Sequence, residues 1–205
     1  MPKRVDHDQR RLEIVEAAWR LIARGGFAAA TMREIAAEAG FANGALKYYF
    51  EGKDDLLVAA FQQTFYRVNE RAARAIGDST GLEAIRLLCL EMLPLDEERR
   101  VESRVAVAFW DRASSSPKLR KVHADSFAIW RTWMENELDS ARRAGTLATP
   151  TPDRQIIDEL LAVTTGSRVL PMLEPGTAES FGHVELLEAI VARLAAERAA
   201  PDPAP

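Results

Sequence analysis

The chain has 205 residues, of which 47% are hydrophobic and 28% charged, and its formal net charge at pH 7 is -4. That charge excludes a protein that coats nucleic acid through overall charge, although it permits a local basic face. No run approaches the ~20 apolar residues of a membrane span, the N-terminus lacks the apolar run of a secretory signal, and the single Cys89 excludes an intrachain disulfide. We therefore expect a cytoplasmic protein without a membrane partner, in which Cys89 fills the core.

Apolar residues recur at spacings of three and four along most of the chain, and alternating β-branched runs are absent. The pattern predicts an all-α fold with about nine helices. The first helix has an apolar stripe and ends at Gly25-Gly26, and the second begins at Thr31. The stripe consists of Leu12, Val15, Ala18, Leu21 and Ile22.

Later helices are predicted from the same periodicity and from their end signals. Thr80 and Glu83 have capping-box spacing and predict the start of a helix that ends near Pro94. The other predicted helices cover residues 54–76, 101–113, 117–144, 153–170 and 181–200. We expect a three-helix head over residues 1–53, a helical body over 54–200 and a disordered tail over 201–205.

Residues 31–50 have the pattern of a helix-turn-helix. Thr31 and Glu34 form a capping box, and Gly40 ends this short helix. Three residues, 41–43, then form a turn of the right length before a second short helix over 43–50. This pattern predicts a recognition helix that enters a DNA major groove.

The side chains of that second helix indicate a contact surface. Leu46 and Phe50 are four residues apart and can face the core, so Lys47, Tyr48 and Tyr49 cannot all turn inward with them. Exposed lysine and tyrosine are good phosphate donors. The alternative is a helical pair inside a bundle, with these side chains merely solvated.

This segment resembles the DNA-binding signature of the TetR family of regulators at Thr31, Ile35, Ala36, Ala39, Gly40, Gly44, Leu46, Tyr48, Phe50, Lys53 and Leu56. The resemblance implies phosphate contacts by Thr31, Tyr49 and Lys53. It implies base contact or close groove approach by the set Arg33, Asn43, Gly44 and Lys47. Arginine can pair with guanine and asparagine with adenine, so Arg33 and Asn43 are the best candidates for specificity.

Three features of the head qualify this interpretation. Ala42 stands where the family often has serine or threonine, and Lys47 where it commonly has tyrosine. Capping can therefore pass to Asn43. Basic residues around the first helix form either an arm that reaches DNA or a solvated end, namely Lys3, Arg4, Arg10 and Arg11.

The body resembles the C-terminal domain of BetI-type members of the family from residues 93–100 through Phe109-Trp110 to Trp130. Some relatives in that subgroup respond to choline. Its aromatic and methionine side chains either line an effector pocket or fill the core. The candidate pocket residues are Met92, Phe109, Trp110, Phe127, Trp130 and Met134.

The last two long helices have apolar faces that two copies could join as a four-helix interface, and the family resemblance implies the same homodimer. Packing within one protomer is the alternative. These faces consist of Ile156, Ile157, Leu160, Leu161, Val184, Leu187, Val191 and Leu194.

The expected function is sequence-specific DNA binding that regulates transcription, with a repressor released from a palindromic operator by an effector of unknown identity. A helical protein-interaction module without DNA binding is the alternative. An enzyme is not expected, because His7, His123 and His183 are far apart and no metal spacing, phosphate loop or nucleophile motif is present. No cofactor is expected.

Overall fold

The computed structural model describes residues 7–42, 44–147, 149–174 and 182–196, and within these ranges it contains helices and no strand. The predicted all-α class is confirmed. Eight α-helices and one 3₁₀ helix lie in the described part of the chain, where about nine helices were predicted. In order they are α1 (His7–Ala29), α2 (Met32–Glu38), the 3₁₀ helix (Ala45–Tyr48), α3 (Lys53–Ile76), α4 (Gly81–Met92), α5 (Glu97–Ser115), α6 (Pro117–Arg143), α7 (Asp153–Leu173) and α8 (His183–Ala196). None of these helices is long and apolar enough to cross a bilayer.

The first helix was predicted to end at Gly25-Gly26; in the structure Gly26 interrupts α1, which resumes and runs to Ala29. The φ of 72° and ψ of 176° of Gly26 lie in a region that residues with a side chain rarely adopt. Val15, Ala18 and Ile22 of the predicted apolar stripe of α1 are buried, whereas Leu12 is 49% exposed. Ile14 and Trp19, which lie outside the predicted stripe, are also buried.

The N-terminus of α4 is not capped in the predicted way. The Thr80 side chain makes no capping hydrogen bond. The Glu83 carboxylate instead accepts from Arg86, with Oε2 2.7 Å from Nε, and the Gly81 amide donates to Glu137 Oε2 at 2.7 Å. The predicted capping box at Thr80 and Glu83 is therefore wrong, because the Glu83 carboxylate binds the charged Arg86 guanidinium more strongly than it would bind a backbone amide.

The predicted end of α7 at residue 170 is also wrong, because the helix continues through Pro171 to Leu173. Pro171 lies in the last turn, where its missing N–H removes only one internal hydrogen bond. The predicted helix over 181–200 corresponds to α8, and residues 181 and 197–200 lie outside the described ranges. So do the predicted tail and the basic residues Lys3 and Arg4.

The described residues form two compact units, and α3, α5 and α6 each contribute to both. Unit 1 contains the described residues up to Tyr66 together with Val101–His123. Unit 2 contains Arg67–Arg100 and the described residues from Ala124 onward.

The core of unit 1 is built around stacked aromatic rings. The Phe61 and Phe109 rings lie parallel, with centroids 4.0 Å apart, and both side chains are buried. Trp19 Nε1 donates to Thr64 Oγ1 at 3.0 Å, so the buried indole is satisfied.

The core of unit 2 lies where α4, α7 and α8 pack against one another. Cys89 is fully buried here, and burial raises the pKa of its thiol to about 12. Arg168 Nε donates to the carbonyl oxygen of Met92 at 2.6 Å and joins α7 to the end of α4. Arg142 holds the loop between α6 and α7 through Asp153 and the carbonyl oxygens of Thr149 and Thr151.

Candidate nucleic-acid interface

The capping box predicted at α2 is present. Thr31 Oγ1 accepts from the Glu34 amide at 3.2 Å, and Glu34 Oε2 accepts from the Thr31 amide at 2.9 Å. The hydrogen bond that the Thr31 amide donates to the carboxylate, together with the Thr31 side chain, lowers the pKa of the Glu34 carboxyl. The two hydrogen bonds of the capping box satisfy two amides at the helix start and place the negative carboxylate at the positive end of the helix dipole.

The turn after α2 is a Schellman motif centred on Gly40, whose φ is +74°. The Gly40 amide donates to the Ala37 carbonyl at 3.1 Å, and the Phe41 amide donates to the Ala36 carbonyl at 2.8 Å. This turn directs the chain from α2 into the next segment.

That segment is shorter than the predicted helix over 43–50. It is a single 3₁₀ turn over Ala45–Tyr48, preceded by Gly44, which has no side chain to cap it. Leu46 and Phe50 are buried as predicted and hold the segment against the core of unit 1. Asn43, one of the two specificity candidates, lies outside the described residues.

Most of the other DNA-binding candidates are exposed on α2 and the 3₁₀ turn. Arg33, Gly44 and Lys47 are exposed, and the Tyr48 side chain is 84% exposed. Thr31 is also exposed, with its hydroxyl oxygen used for the cap. A lysine, an arginine and a tyrosine on adjacent short elements form a surface that suits phosphate and base edges.

Lys53 differs from these candidates because the chain itself already contacts its ammonium. Nζ lies 4.1 Å from the centroid of the Phe27 ring and 3.3 Å from the Ala28 carbonyl oxygen. Partial burial lowers the pKa of this group, and the nearby carboxylates of Glu34 and Asp54 oppose that shift. Lys53 therefore joins the start of α3 to the corner between α1 and α2.

Tyr49 is half-buried in an aromatic cluster that the sequence did not indicate. Its ring centroid lies 4.5 Å from that of His7 and 6.1 Å from that of Phe41. The Arg10 guanidinium lies 5.2 Å from the Phe41 centroid, and that of Arg11 lies 4.8 Å from the Phe50 centroid. These two arginines of α1 therefore pack on the helix-turn-helix.

A second contact missing from the sequence interpretation fixes α2 on α1. Arg20 Nε and Arg24 Nη2 lie 3.0 Å and 2.9 Å from the two carboxylate oxygens of Glu38, and both contacts lower its pKa. The sequence did contain a signal for this contact. Two arginines lie one turn apart on α1, and an acidic residue lies at the end of the next helix.

The candidate pocket residues fall in both units. Phe109 and Trp110 belong to unit 1, and the other candidates, Met92, Phe127, Trp130 and Met134, belong to unit 2. Phe109 and Met134 are fully buried. In unit 2 the Phe127 and Trp130 rings meet edge to face at 5.2 Å, and Trp130 lines a cavity of about 350 Å³.

Residues 14–60 match the family model of bacterial regulatory proteins of the tetR family, and residues 81–197 match that of the BetI-type transcriptional repressor, C-terminal. The chain belongs to the TetR family. The resemblance found in the sequence is thus confirmed for both parts of the chain.

Two curated relatives of this TetR-family chain are transcriptional regulators. PksA of Bacillus subtilis (strain 168) is 41% identical over 110 residues, which is 53% of this chain and 54% of that protein. BetI of Stenotrophomonas maltophilia (strain R551-3) is 30% identical over 124 residues, which is 60% of this chain and 63% of that protein. The alignments thus span between half and two thirds of these relatives' lengths.

Solved structures of two transcriptional regulators have the same fold. One, from Saccharomonospora viridis in complex with choline, has a TM-score of 0.77 at 22% identity and covers 91% of this chain and 95% of that one. FadR from Bacillus subtilis in complex with stearoyl-CoA has a TM-score of 0.74 at 18% identity and covers 90% of this chain and 97% of that one.

Proposed function

We propose that this chain is a cytoplasmic, sequence-specific transcriptional repressor that binds a palindromic operator as a homodimer and leaves it when a small-molecule effector binds. The observation that carries the proposal is the exposed surface of Arg33, Lys47 and Tyr48. Folding alone does not require these side chains there. Residues 1–53 would bind DNA, and residues 54–200 would bind the effector and the second copy.

The backbone around these side chains supports a rigid contact surface. Local contacts fix both ends of α2. The capping box at Thr31 fixes its start, and the Schellman turn at Gly40 and the ion pairs of Arg20 and Arg24 with Glu38 fix its end. A preformed surface loses little conformational freedom on binding, which favours affinity. The capped helix, the tight turn and the short segment after it have the layout of a helix-turn-helix, and their basic side chains fit phosphate, whereas a helical protein-interaction module would not need that layout.

The homodimer is proposed through α7 and α8, with a correction to the predicted contact residues. Most of the apolar residues assigned to the interface are buried within the protomer, namely Ile156, Ile157, Leu160, Leu161, Leu187 and Leu194. They therefore pack α7 and α8 in unit 2 and cannot contact a second copy. Leu170, Leu173 and Leu186 on the same helices are exposed, and Leu173 is 72% exposed. These three leucines are the new candidates.

Selection from a randomised duplex library tests the DNA-binding proposal and does not require a known operator sequence. The full chain should enrich one motif with two-fold symmetry, because two recognition segments would read half-sites about 34–36 Å apart. Tyr48→Ala should lose enrichment while its thermal unfolding stays unchanged. Absence of any enriched motif with the folded protein would overturn the proposal in favour of the interaction module.

Sedimentation tests the dimer separately. The chain should sediment as a dimer at micromolar concentration, and Leu173→Glu combined with Leu186→Glu should shift it to monomer. A wild-type chain that remains monomeric with and without the selected duplex would contradict the homodimer.

A further inference from the structure

A cavity of about 350 Å³ lies wholly within unit 2, at the end of α3. The last turn of α3 contributes small side chains, and α6 contributes two indoles. Its lining residues are Asn69, Ala72, Ala73, Ile76, Gly77, Leu88, Ile129, Trp130 and Trp133. The cavity exists because the residues on α3 are small, and the indoles of α6 form its opposite side.

Among the described residues, those that line the cavity include no ionisable side chain. The amide of Asn69 accepts a hydrogen bond through Oδ1 from Trp130 Nε1 at 2.9 Å. This hydrogen bond orients the indole, and Phe127 packs edge to face against the same ring. The Trp130 ring is therefore fixed before any ligand arrives.

We infer that this cavity binds an uncharged aromatic molecule, an inference that rests on the proposed function in taking that molecule as the effector. The cavity opens to solvent beside Ala73, Gly77 and Ile129. A charged ligand would lose part of its hydration here and gain no opposite charge from the lining side chains that the structure describes. Indole faces can stack on an aromatic ring and contribute apolar area at the same time.

A cationic ligand would need a carboxylate beside the aromatic rings, and Glu91 lies on α4 one helical turn after the lining residue Leu88. Glu91 is already neutralised, because Arg71 Nε and Arg99 Nη2 lie 2.9 Å and 3.0 Å from its Oε2. The indole faces alone would have to replace the hydration of a cation. The cavity thus differs in chemistry from a site for choline, and its volume is near the lower end of the usual range of ~300–1,000 Å³.

The position of the cavity on α3 provides a route to the DNA head. Ile76 and Gly77 line the cavity at the end of α3, and Lys53 is the first residue of the same helix. A ligand that favours one position of the end of α3 would change the operator affinity through this continuous helix. Coupling requires only that the ligand bind the two positions with different affinity.

Three probes with the same ring system and different charge test the ligand class. We would titrate the full chain at pH 7 by calorimetry with 2-naphthol, 2-naphthoate and trimethyl-(2-naphthyl)ammonium. The neutral 2-naphthol should bind about tenfold or more tightly than either ion, because only the ions lose the hydration of a charge. Equal or tighter binding of either ion, or no binding of 2-naphthol, would overturn the inference.

Two variants locate the binding. Ala73→Leu fills the cavity from an exposed helix position and should abolish 2-naphthol binding, whereas Ala75→Leu, also exposed on α3 but outside the lining, should leave it unchanged. Asn69→Asp keeps the acceptor for Trp130 and adds a charge, so it should reverse the preference toward the trimethylammonium probe. Unchanged binding in Ala73→Leu would overturn the assignment to this cavity.

The link to DNA is measured apart from ligand binding. With the duplex selected above, 2-naphthol should weaken binding of the wild type and leave that of Ala73→Leu unchanged. If 2-naphthol binds with the expected charge preference but no duplex is ever selected, the ligand class stands and the proposed function fails. If a duplex is selected and 2-naphthol binds without changing its affinity, the role as effector site is overturned.

Discussion

The proposed DNA-binding surface is built from exposed side chains, whereas the interiors of the two units are built from buried ones. Arg33, Lys47 and Tyr48 are exposed, whereas Phe109 and Met134 are fully buried. Substitutions on an exposed surface usually change stability by less than about 0.5 kcal/mol, while removal of a buried aromatic costs far more. Binding and folding can therefore be separated by mutation at the head, and cannot be separated at buried positions that were candidates for the pocket.

The largest expected effect tests the buried side of this comparison. Phe109→Ala should lower the free energy of unfolding by about 3–5 kcal/mol, because it removes a ring stacked on Phe61. Chemical denaturation would measure the loss, with Tyr48→Ala as the exposed aromatic control. A Phe109→Ala variant that keeps its stability and loses only ligand affinity would instead support the prediction that Phe109 lines the effector pocket.

The next effect tests the exposed side. Arg33→Ala should leave unfolding unchanged and relax base preference at one position of each half-site, a loss of about 1–3 kcal/mol for a bidentate pair. Competition between the selected duplex and singly substituted duplexes would measure it. Arg74→Ala, another exposed arginine but on α3, is the matched control. Equal losses on specific and random DNA would remove Arg33 from the specificity set.

Lys53 is half-buried, so it is expected to contribute both to DNA binding and to stability. Lys53→Ala should weaken binding to all sequences and flatten the log-log salt dependence by about one unit per lost phosphate contact in each subunit. Because Nζ also contacts Phe27 and Ala28, this variant should unfold at a lower temperature, unlike Arg33→Ala. An unchanged salt slope with lower stability would make Lys53 a positioning residue only.

The smallest effect concerns the cap of α2 and depends on pH. The pKa of Glu34 is lowered from its ordinary value of 4.5 by hydrogen bonds from Thr31. The folded state therefore gains stability from this group above its unfolded pKa, and loses it as the pH falls through the lowered folded pKa. The difference in melting temperature between wild type and Glu34→Gln should be constant near neutral pH and shrink in acid. A difference that grows in acid would contradict this assignment.

Local signals account for what the sequence predicted well at the head. The cap at Thr31 and the stop at Gly40 act within a few residues, so α2 and its turn could be located from sequence. The second helix was predicted too long because Leu46 and Phe50 show only which side faces the core. How far helical geometry extends from an uncapped Gly44 depends on packing.

The proposed effector cavity could not be located in the same way, because its formation depends on residues far apart in the sequence. The stacking partner of Phe109 is Phe61, far away in sequence, and nothing local distinguishes such a core ring from a pocket ring. The cavity depends equally on Ala72, Ala73 and Gly77, whose small side chains give no signal in an apolar pattern. Trp130 is the candidate that the cavity and the sequence share.

The burial of Cys89 has a practical consequence for labelling the chain with thiol reagents. The thiolate is the form that reacts with maleimides and nitroxide reagents, and a pKa of about 12 leaves almost none of it at neutral pH. Because the chain has one cysteine, Ala42→Cys would introduce a single reactive thiol at an exposed position just before the 3₁₀ helix. Spin labels on the two copies of the proposed dimer would then report the spacing of the two proposed DNA-binding surfaces directly, with Cys89 left in place.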